Sequence, residues 1–432
     1  MKKNYINRRK FFQYSASGIA VVASSFQAIG TENVTMNRLS DHNKSGITSE
    51  TDVLVIGGGT AGTVAAIQSA RAGAETLLIE RGSQLGGTTT TGGVAFPGLF
   101  HAWGKQIISG IGWELVADTV KLDGGSFPDF SMEINNTSVR HWRHQVRINH
   151  FLYALLAEEK CREAGVKIAY YEFPQYIKQT AKDWQVDCVG FGTQRRVLCK
   201  QIIDCTGGAE VVGMLNLPRL REEETQPGSI LFQLDVCNDP GRQNGPGTGS
   251  LNNLYVHGAD SSNSRTVTAA NLTGRKAILD KVRKEKKRLM HLQPETAFRE
   301  SYRIEGETII TVNDYTSGRT FDDAICYAFY PVDLHTKDGV KPKPLKKGIV
   351  PTIPLSALVP KGSSNILVAG RCVSSDRLAN SGLRVQASCM AMGQAAGATA
   401  ALASRKNTTP LKVPLKDIRK MLIKNGAIVP GM

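Results

Sequence analysis

Between residues 50 and 100, short apolar runs alternate with glycine-rich turns. Thr51 to Ile56 is an apolar run that meets three spaced glycines, Gly57, Gly59 and Gly62. A small-residue helix, Thr63 to Arg71, follows, and a second apolar strand, Thr76 to Ile79, ends in Glu80. Arg147 to Ala164 has helical spacing, with Phe151, Leu152, Leu155 and Leu156 on one stripe, and Val166 to Tyr171 then reads as a strand. Trp184 to Val189 and Arg196 to Cys199 are expected to pair antiparallel. Lys200 to Asp204 is a further apolar strand, and it runs into the small-residue turn Cys205-Thr206-Gly207-Gly208.

The pattern changes near Pro218. Residues 230–330 mix alternating strands, such as Ile230 to Asp235, with a basic helix and polar loops. Gly245, Gly247 and Gly249 follow no strand and read as loop. At Asn365 the earlier pattern returns: Asn365 to Ala369 is a strand ending in Gly370-Arg371, and Val385 to Ser404 is a long helix rich in Ala, Gly and Met. Its small residues predict close packing against a sheet. There is no internal repeat. The architecture expected is α/β: a Rossmann-like dinucleotide domain split in sequence, 51–217 plus 350–404, around an inserted mixed α+β substrate domain, 218–349. Residues 31–50 read as a linker and 405–432 as a basic C-terminal tail.

The first segment is a complete βαβ unit, not an isolated glycine pattern. Gly57 is expected to make the tight turn, Gly59 to let the backbone approach a pyrophosphate, and Gly62 to let the helix pack close to the strand. The helix N-terminus offers free N–H groups to phosphate, and Glu80 stands where a carboxylate accepts from an adenosine ribose.

Charge and cysteines narrow the picture. Residues 1–30 carry Arg8-Arg9 before Phe11-Phe12 and a weakly apolar run from Ser15 to Ala23. This resembles a twin-arginine signal peptide, with cleavage near Ala28 or Gly30, and implies the twin-arginine export machinery as a partner and a periplasmic or extracellular location. The five basic residues of this leader take the formal charge from +15 to +10 when removed. The rest is concentrated in Arg275–Arg288 and Arg405–Lys424, which read as solvated faces; without interleaved aromatics they do not suggest nucleic acid. No later segment is apolar enough for stable membrane insertion. The cysteines are Cys161, Cys188, Cys199, Cys205, Cys237, Cys326, Cys372 and Cys389. None forms a C-x-x-C pair or clusters with histidine, so spacing supports neither an iron–sulfur cluster nor another metal site. Cys205, Cys372 and Cys389 lie inside apolar elements, where a free buried thiol is the default.

Three further features carry a family resemblance. They are Arg81 with Leu85-Gly86-Gly87-Thr88, the turn Asp204-Cys205-Thr206-Gly207-Gly208, and the late Gly370-Arg371 with its helix containing Gly393-Gln394-Ala395-Ala396-Gly397. Together they resemble FAD-dependent oxidoreductases of the two-dinucleotide, glutathione-reductase type. Phe96 to Lys105, Arg299 to Arg303, Ser317 to Asp323, Tyr330 to His335, Gly370 to Ser374 and Cys389 to Gly397 resemble, more narrowly, the FAD-dependent oxidoreductases related to the heterodisulfide reductase A subunit. The resemblance spans about 50–404. It implies FAD as cofactor, with Gly57, Gly59, Gly62, Glu80, Arg81, Gly87, Thr88, Thr206, Gly207, Gly370 and Arg371 binding it, and the late helix N-terminus against the isoalloxazine. The chain departs from those relatives in lacking a cysteine run for an iron–sulfur cluster. It also has Gly207-Gly208-Ala209-Glu210 where they often carry an acidic Gly-Asp pair. No second dinucleotide fingerprint suggests an NAD(P)H domain.

FAD would carry the redox chemistry, leaving the protein to orient a small organic substrate and supply a base near flavin N5. His101 and His335 are the leading candidates, both in segments matching the family; His141 and His144 are weaker. Arg303, Arg319, Arg371, Arg384 and Lys105 are candidates for holding a substrate oxygen or the flavin N1–C2=O edge, with Arg371 and Arg384 favoured. The catalytic set expected is therefore His335, His101 and Arg384, with His335 and His101 near each other. The alternatives are an electron-transfer flavoprotein serving a partner protein and a non-redox protein in which FAD is structural.

Overall fold

The computed structural model describes residues 47–131, 141–181, 183–235, 250–337, 339–340 and 342–431. The segments expected to be a signal peptide, most of the linker and the Gly245–Gly249 loop, together with Cys237, lie outside the described residues.

The chain enters through β1 (Ile47–Ile56), turns into helix α1 (Thr60–Arg71) and returns as β2 (Thr76–Glu80). Helices α2 (Ile111–Leu122) and α3 (His150–Glu163) lead to β3 (Lys167–Tyr170), followed by β4 (Phe173–Gln179), β5 (Trp184–Gly190) and β6 (Thr193–Asp204). Both segments read separately from sequence, Arg196–Cys199 and Lys200–Asp204, belong to this single strand β6. Beyond it come β7 (Gly228–Leu234), β8 (Ser250–Val256), helix α4 (Ser264–Glu285) and β9 (Leu289–Leu292). The chain closes with β10 (Ile366–Val368), α5 (Arg377–Leu383), α6 (Gln386–Lys406) and α7 (Leu415–Lys424).

One seven-stranded sheet organises the molecule, in the order β3-β2-β1-β6-β5-β4, with β10 also on β6. Strand β6 serves two partners along the same edge. Its N-terminal half pairs antiparallel with β5, as expected from sequence, in a register that sets Gln185 opposite Leu198. Its C-terminal half pairs parallel with β10, Ile202 opposite Ile366. The period-2 alternation of β1 then separates two cores. Val53 and Val55 join Leu78, Ile203 and Leu367 under α1 and α6. Leu54 and Ile56 join Leu77, Ile79, Ile202 and Ile366 against the meander residues Ile177, Trp184, Val186 and Val197.

Helix α6 lies against α1 at close range. A Cβ on Gly393 would stand 2.2 Å from the Ala61 carbonyl oxygen, and one on Gly397 2.3 Å from that of Ala65. Small residues read from the sequence as a packing face thus permit near backbone contact. Helix α3 corrects the sequence reading. Phe151 and Leu155 of the expected stripe are 57% and 64% exposed, and the buried residues are Tyr153, Ala154, Ala157 and Cys161. The face packed onto neighbouring helices carries Tyr153 beside small side chains, so the Phe and Leu stripe pointed to the wrong face. Strand β7 does not alternate either: nearly all of it is buried, with Ile230, Phe232 and Leu234 meeting Ala270 and Ile278 of α4 in a satellite core. The basic C-terminal segment is folded, and α7 sends Ile418 and Leu422 into the main core while Lys416, Lys420 and Lys424 stay exposed. Among the described residues, all seven cysteines are free and buried.

Candidate active site

The first turn is built for close backbone approach. Gly57 takes φ +99°, in the left-handed region that glycine tolerates, and a Cβ there would stand 2.6 Å from the Cys205 carbonyl oxygen. A Cβ on Gly62 would be 1.8 Å from the Gly57 carbonyl oxygen, so any side chain would lift α1 off the turn. Gly59 differs: an added Cβ meets nothing within 4 Å. Gly59 is also the N-cap of α1, which has no side-chain cap. The opening N–H groups of α1 therefore stand beside free space, the arrangement a pyrophosphate needs.

Glu80, at the end of β2, accepts hydrogen bonds from the Gly58 and Gly82 N–H groups, each at 2.6 Å. Those bonds leave lone-pair positions on both oxygens for ribose hydroxyls. Burial pushes its carboxyl pKa up, against the pull of these two amides. Gly87 lies against the same turn, 2.9 Å from the Gly59 Cα if given a Cβ. Arg81 is exposed and pairs with Glu210 at 3.3 Å, and Thr88 is exposed. The contact sequence reading missed comes from Thr89, whose hydroxyl meets Thr60 at 3.1 Å and the Gln386 side-chain carbonyl at 2.7 Å. Gln386 in turn donates to the Val94 carbonyl at 2.9 Å. The loop after Gly87 is thus tied to the N-termini of both α1 and α6.

At the end of β6, Asp204 is wholly buried. It accepts from the Thr206 hydroxyl at 2.7 Å and from the Val211 N–H at 3.0 Å, and burial pushes its pKa up to about 6. The Thr206 hydroxyl accepts the Glu210 N–H at 3.0 Å, so its visible work is to hold the turn. Arg371 crosses over this turn. It donates to the carbonyls of Gly207 (2.7 Å) and Phe298 (2.5 Å) and to the Ser261 hydroxyl (3.2 Å). Among the described residues it has no carboxylate partner. Gly370 has φ +110°, and its would-be Cβ faces the Ala61 Cβ at 3.4 Å, which brings this turn to the start of α1. An open helix N-terminus and a half-buried cation held only by neutral acceptors fit the FAD diphosphate, and the Glu80 carboxylate fits its ribose.

The two expected histidines lie in different clusters. His101 is stacked on Phe130 at 3.7 Å and edge-on to Trp113 at 5.6 Å; burial, and then His144, push its pKa down to about 4. His335 sits in a polar cluster where the chain approaches α6. Its Nε2 lies 3.1 Å from Asp333 Oδ2, and its backbone N–H donates to the Gln226 side-chain carbonyl at 3.0 Å. With Asp333 ionised, as its lowered pKa implies despite burial, Nε2 carries the proton and Nδ1 is left as an acceptor. Nδ1 is buried and has no protein partner. Arg384, between α5 and α6, reaches the same Asp333 Oδ2 at 3.9 Å and the Gln226 carbonyl at 3.4 Å, while its Nε is buried without a partner. No hydrogen bond or ring contact among the described residues joins His101 to His335. Arg303 is satisfied by a two-point contact with Glu222, at 2.9 and 2.7 Å, and Arg319 by Asp314 at 2.9 Å. His141 and Trp142 side chains are outside the described set, and Lys105 is exposed. Asp333, Gln226 and Gln386 were missed; only Asp333, two residues before His335, carried a signal in its spacing.

Among the described residues, no three His, Cys, Asp or Glu side chains are grouped to hold a metal ion, and no helix is long and apolar enough to cross a membrane. Comparison with known proteins adds the family. The model for FAD dependent oxidoreductases matches residues 52–245 and 260–422. Similar solved structures include the anhydrotetracycline hydroxylase OxyS from Streptomyces rimosus, at 13% identity over 88% of this chain and 66% of that one, TM-score 0.42. A geranylgeranyl bacteriochlorophyll reductase-like protein from Thermoplasma acidophilum matches at 13% identity over 88% and 85%, TM-score 0.41. A flavoprotein/dehydrogenase from Cytophaga hutchinsonii matches at 15% identity over 87% and 83%, TM-score 0.40. The chain spans just under two thirds of the length of the hydroxylase. With its split dinucleotide fold and a family match over most of its length, the chain belongs to the FAD-dependent oxidoreductases, and its cofactor is FAD.

Proposed function

We propose that this flavoenzyme is exported by the twin-arginine route, belongs to the branch related to the heterodisulfide reductase A subunit, and oxidises or reduces a small organic substrate. Bound FAD supplies a two-electron centre that exchanges hydride at N5. Gly57, Gly59, Gly62, Glu80, Gly87, Gly370 and Arg371 hold its diphosphate and ribose, and Arg81, Thr88, Thr206 and Gly207 border that site. Residues 51–217 and 350–404 form the cofactor domain and 218–349 the substrate domain. The leader and the middle motifs of the sequence support the export route and the branch.

The observation that carries the catalytic reading is the His335–Asp333 pair, 3.1 Å apart, with His335 Nδ1 buried and free of protein partners beside Arg384. Asp333 fixes the tautomer, Nδ1 exchanges a proton with the substrate, and Arg384 orients a substrate oxygen. His101 is the second position proposed for proton transfer, its Nδ1 likewise buried without a partner. Anaerobic reduction of bound flavin across sugars, amines, hydroxy acids and thiols tests the reading. With the reactive substrate, His335→Ala should retain FAD and reduce it about 10²–10⁴-fold more slowly. Normal rates in both His335→Ala and His101→Ala would refute the assignment.

A further inference from the structure

Resting on that reading of His335, the geometry points to a substrate bearing a carboxylate, bound by Arg299 and Arg384 beside the atom that exchanges the proton. The charge inventory of the cluster carries this. Its cations are Arg299, Arg384 and Arg377. Its anions are Asp333 and Glu300, and Glu300 is already engaged by Arg377, at 2.7 Å, and by both Gln226 nitrogens, at 2.6 and 2.8 Å. Asp333 alone then faces two guanidinium groups, and its Oδ2 is shared with His335.

Arg299 donates to the Pro227 carbonyl at 2.6 Å and lies 5.2 Å from the Tyr255 ring centre, but has no carboxylate within ion-pair distance among the described residues. Burial, and then the neighbouring Arg384, push its pKa down to about 10. A partly buried cation without a counter-ion carries a desolvation cost, and a ligand anion offsets it. The Tyr255 ring is also 5.7 Å from the His335 ring, so Arg299 and His335 flank one aromatic wall. Two guanidinium groups around one site suit a planar, two-oxygen anion better than a lone hydroxyl. Arg384 and His335 Nε2 reach the same Asp333 oxygen, at 3.9 and 3.1 Å. The imidazole whose Nδ1 exchanges the proton thus lies next to Arg384, which makes the carboxylate and the reacting group close neighbours in the ligand. A 2-hydroxycarboxylate meets that demand.

The test uses the FAD-loaded protein and equilibrium binding, read by the shift in flavin absorbance and by calorimetry. The probes are lactate, malate and mandelate, each matched with its neutral amide. At least one acid should bind at least tenfold more tightly than its amide. Arg299→Met and Arg384→Met should each weaken the acid by roughly 10–100-fold, the loss expected for a charged hydrogen bond, and weaken the neutral amide by clearly less. Equal binding of every acid and amide would overturn the proposal. So would an Arg384→Met variant that shifts the flavin midpoint potential while binding the acids normally, since the guanidinium would then serve the flavin. Flavin reduction by neutral alcohols, with no acid effect, would sink the carboxylate and leave the oxidoreductase reading standing. Failure to bind FAD would instead remove the reading beneath it.

Discussion

Glu80 shows how much one side chain controls. It orders the turn through the Gly58 and Gly82 amides and still has oxygen lone pairs for a ribose. Glu80→Ala should weaken FAD binding by about 1–3 kcal/mol, as expected when a charged acceptor is removed. Flavin release on dilution measures this; unchanged retention would mean that the ribose is held elsewhere. Titrating side chains predict the response to acid. His101 and His150 are pushed down to about 4 by burial, and His335 and His291 are lowered too. They remain neutral in the native state where unfolded histidines, with a pKa of about 6.5, are protonated. The unfolded chain then binds more protons between about pH 4 and 6.5, so stability falls as pH falls through that window. Asp204, raised to about 6, and Glu80, also raised, bind protons first in the native state and act oppositely. Four histidines against two acids leave a net loss. The melting temperature should be lower at pH 5 than at pH 7; a flat or inverted profile would contradict the burial described.

At the scale of elements, the α1–α6 contact makes a signed prediction. Glycine to alanine inside a helix normally stabilises by about 0.5–1 kcal/mol. At Gly393 the new methyl group would meet the Ala61 carbonyl oxygen at 2.2 Å. Overpacking of about 1–3 kcal/mol then outweighs the propensity gain, so Gly393→Ala should destabilise. Denaturant midpoints at constant slope decide the sign. The sequence made this contact legible, because a helix of Ala and Gly has little reason to exist except close packing. The βαβ turn was legible because all its parts are local. The α3 face was not: Tyr153, Ala154, Ala157 and Cys161 are buried while Phe151 and Leu155 face outward, a choice made by neighbouring helices. The His335 cluster was half legible. His335 and Arg384 were visible as residue types, but Gln226 and Arg299 join them only through long-range folding.

Across the whole molecule, the main core runs from Val53 to Val429, so the C-terminal helix is structural despite its charge. Leu422, 1% exposed, anchors it. Leu422→Ala should cost about 2–5 kcal/mol, by lost burial and the cavity left behind. Thermal melts with and without added FAD should still show one transition. A separate early transition in the variant would mean that α7 unfolds by itself.

The same long reach sets an order of events during synthesis. Ser69 of α1 donates to the Gly397 carbonyl of α6 at 3.2 Å, across 328 residues of chain. At about 5–20 residues per second, the nucleotide turn waits roughly 15–65 s on the ribosome for the helix that holds it in place. The segment made first is therefore finished last. FAD should not be retained by nascent chains stalled before Val385, and its capture should follow completion of the polypeptide.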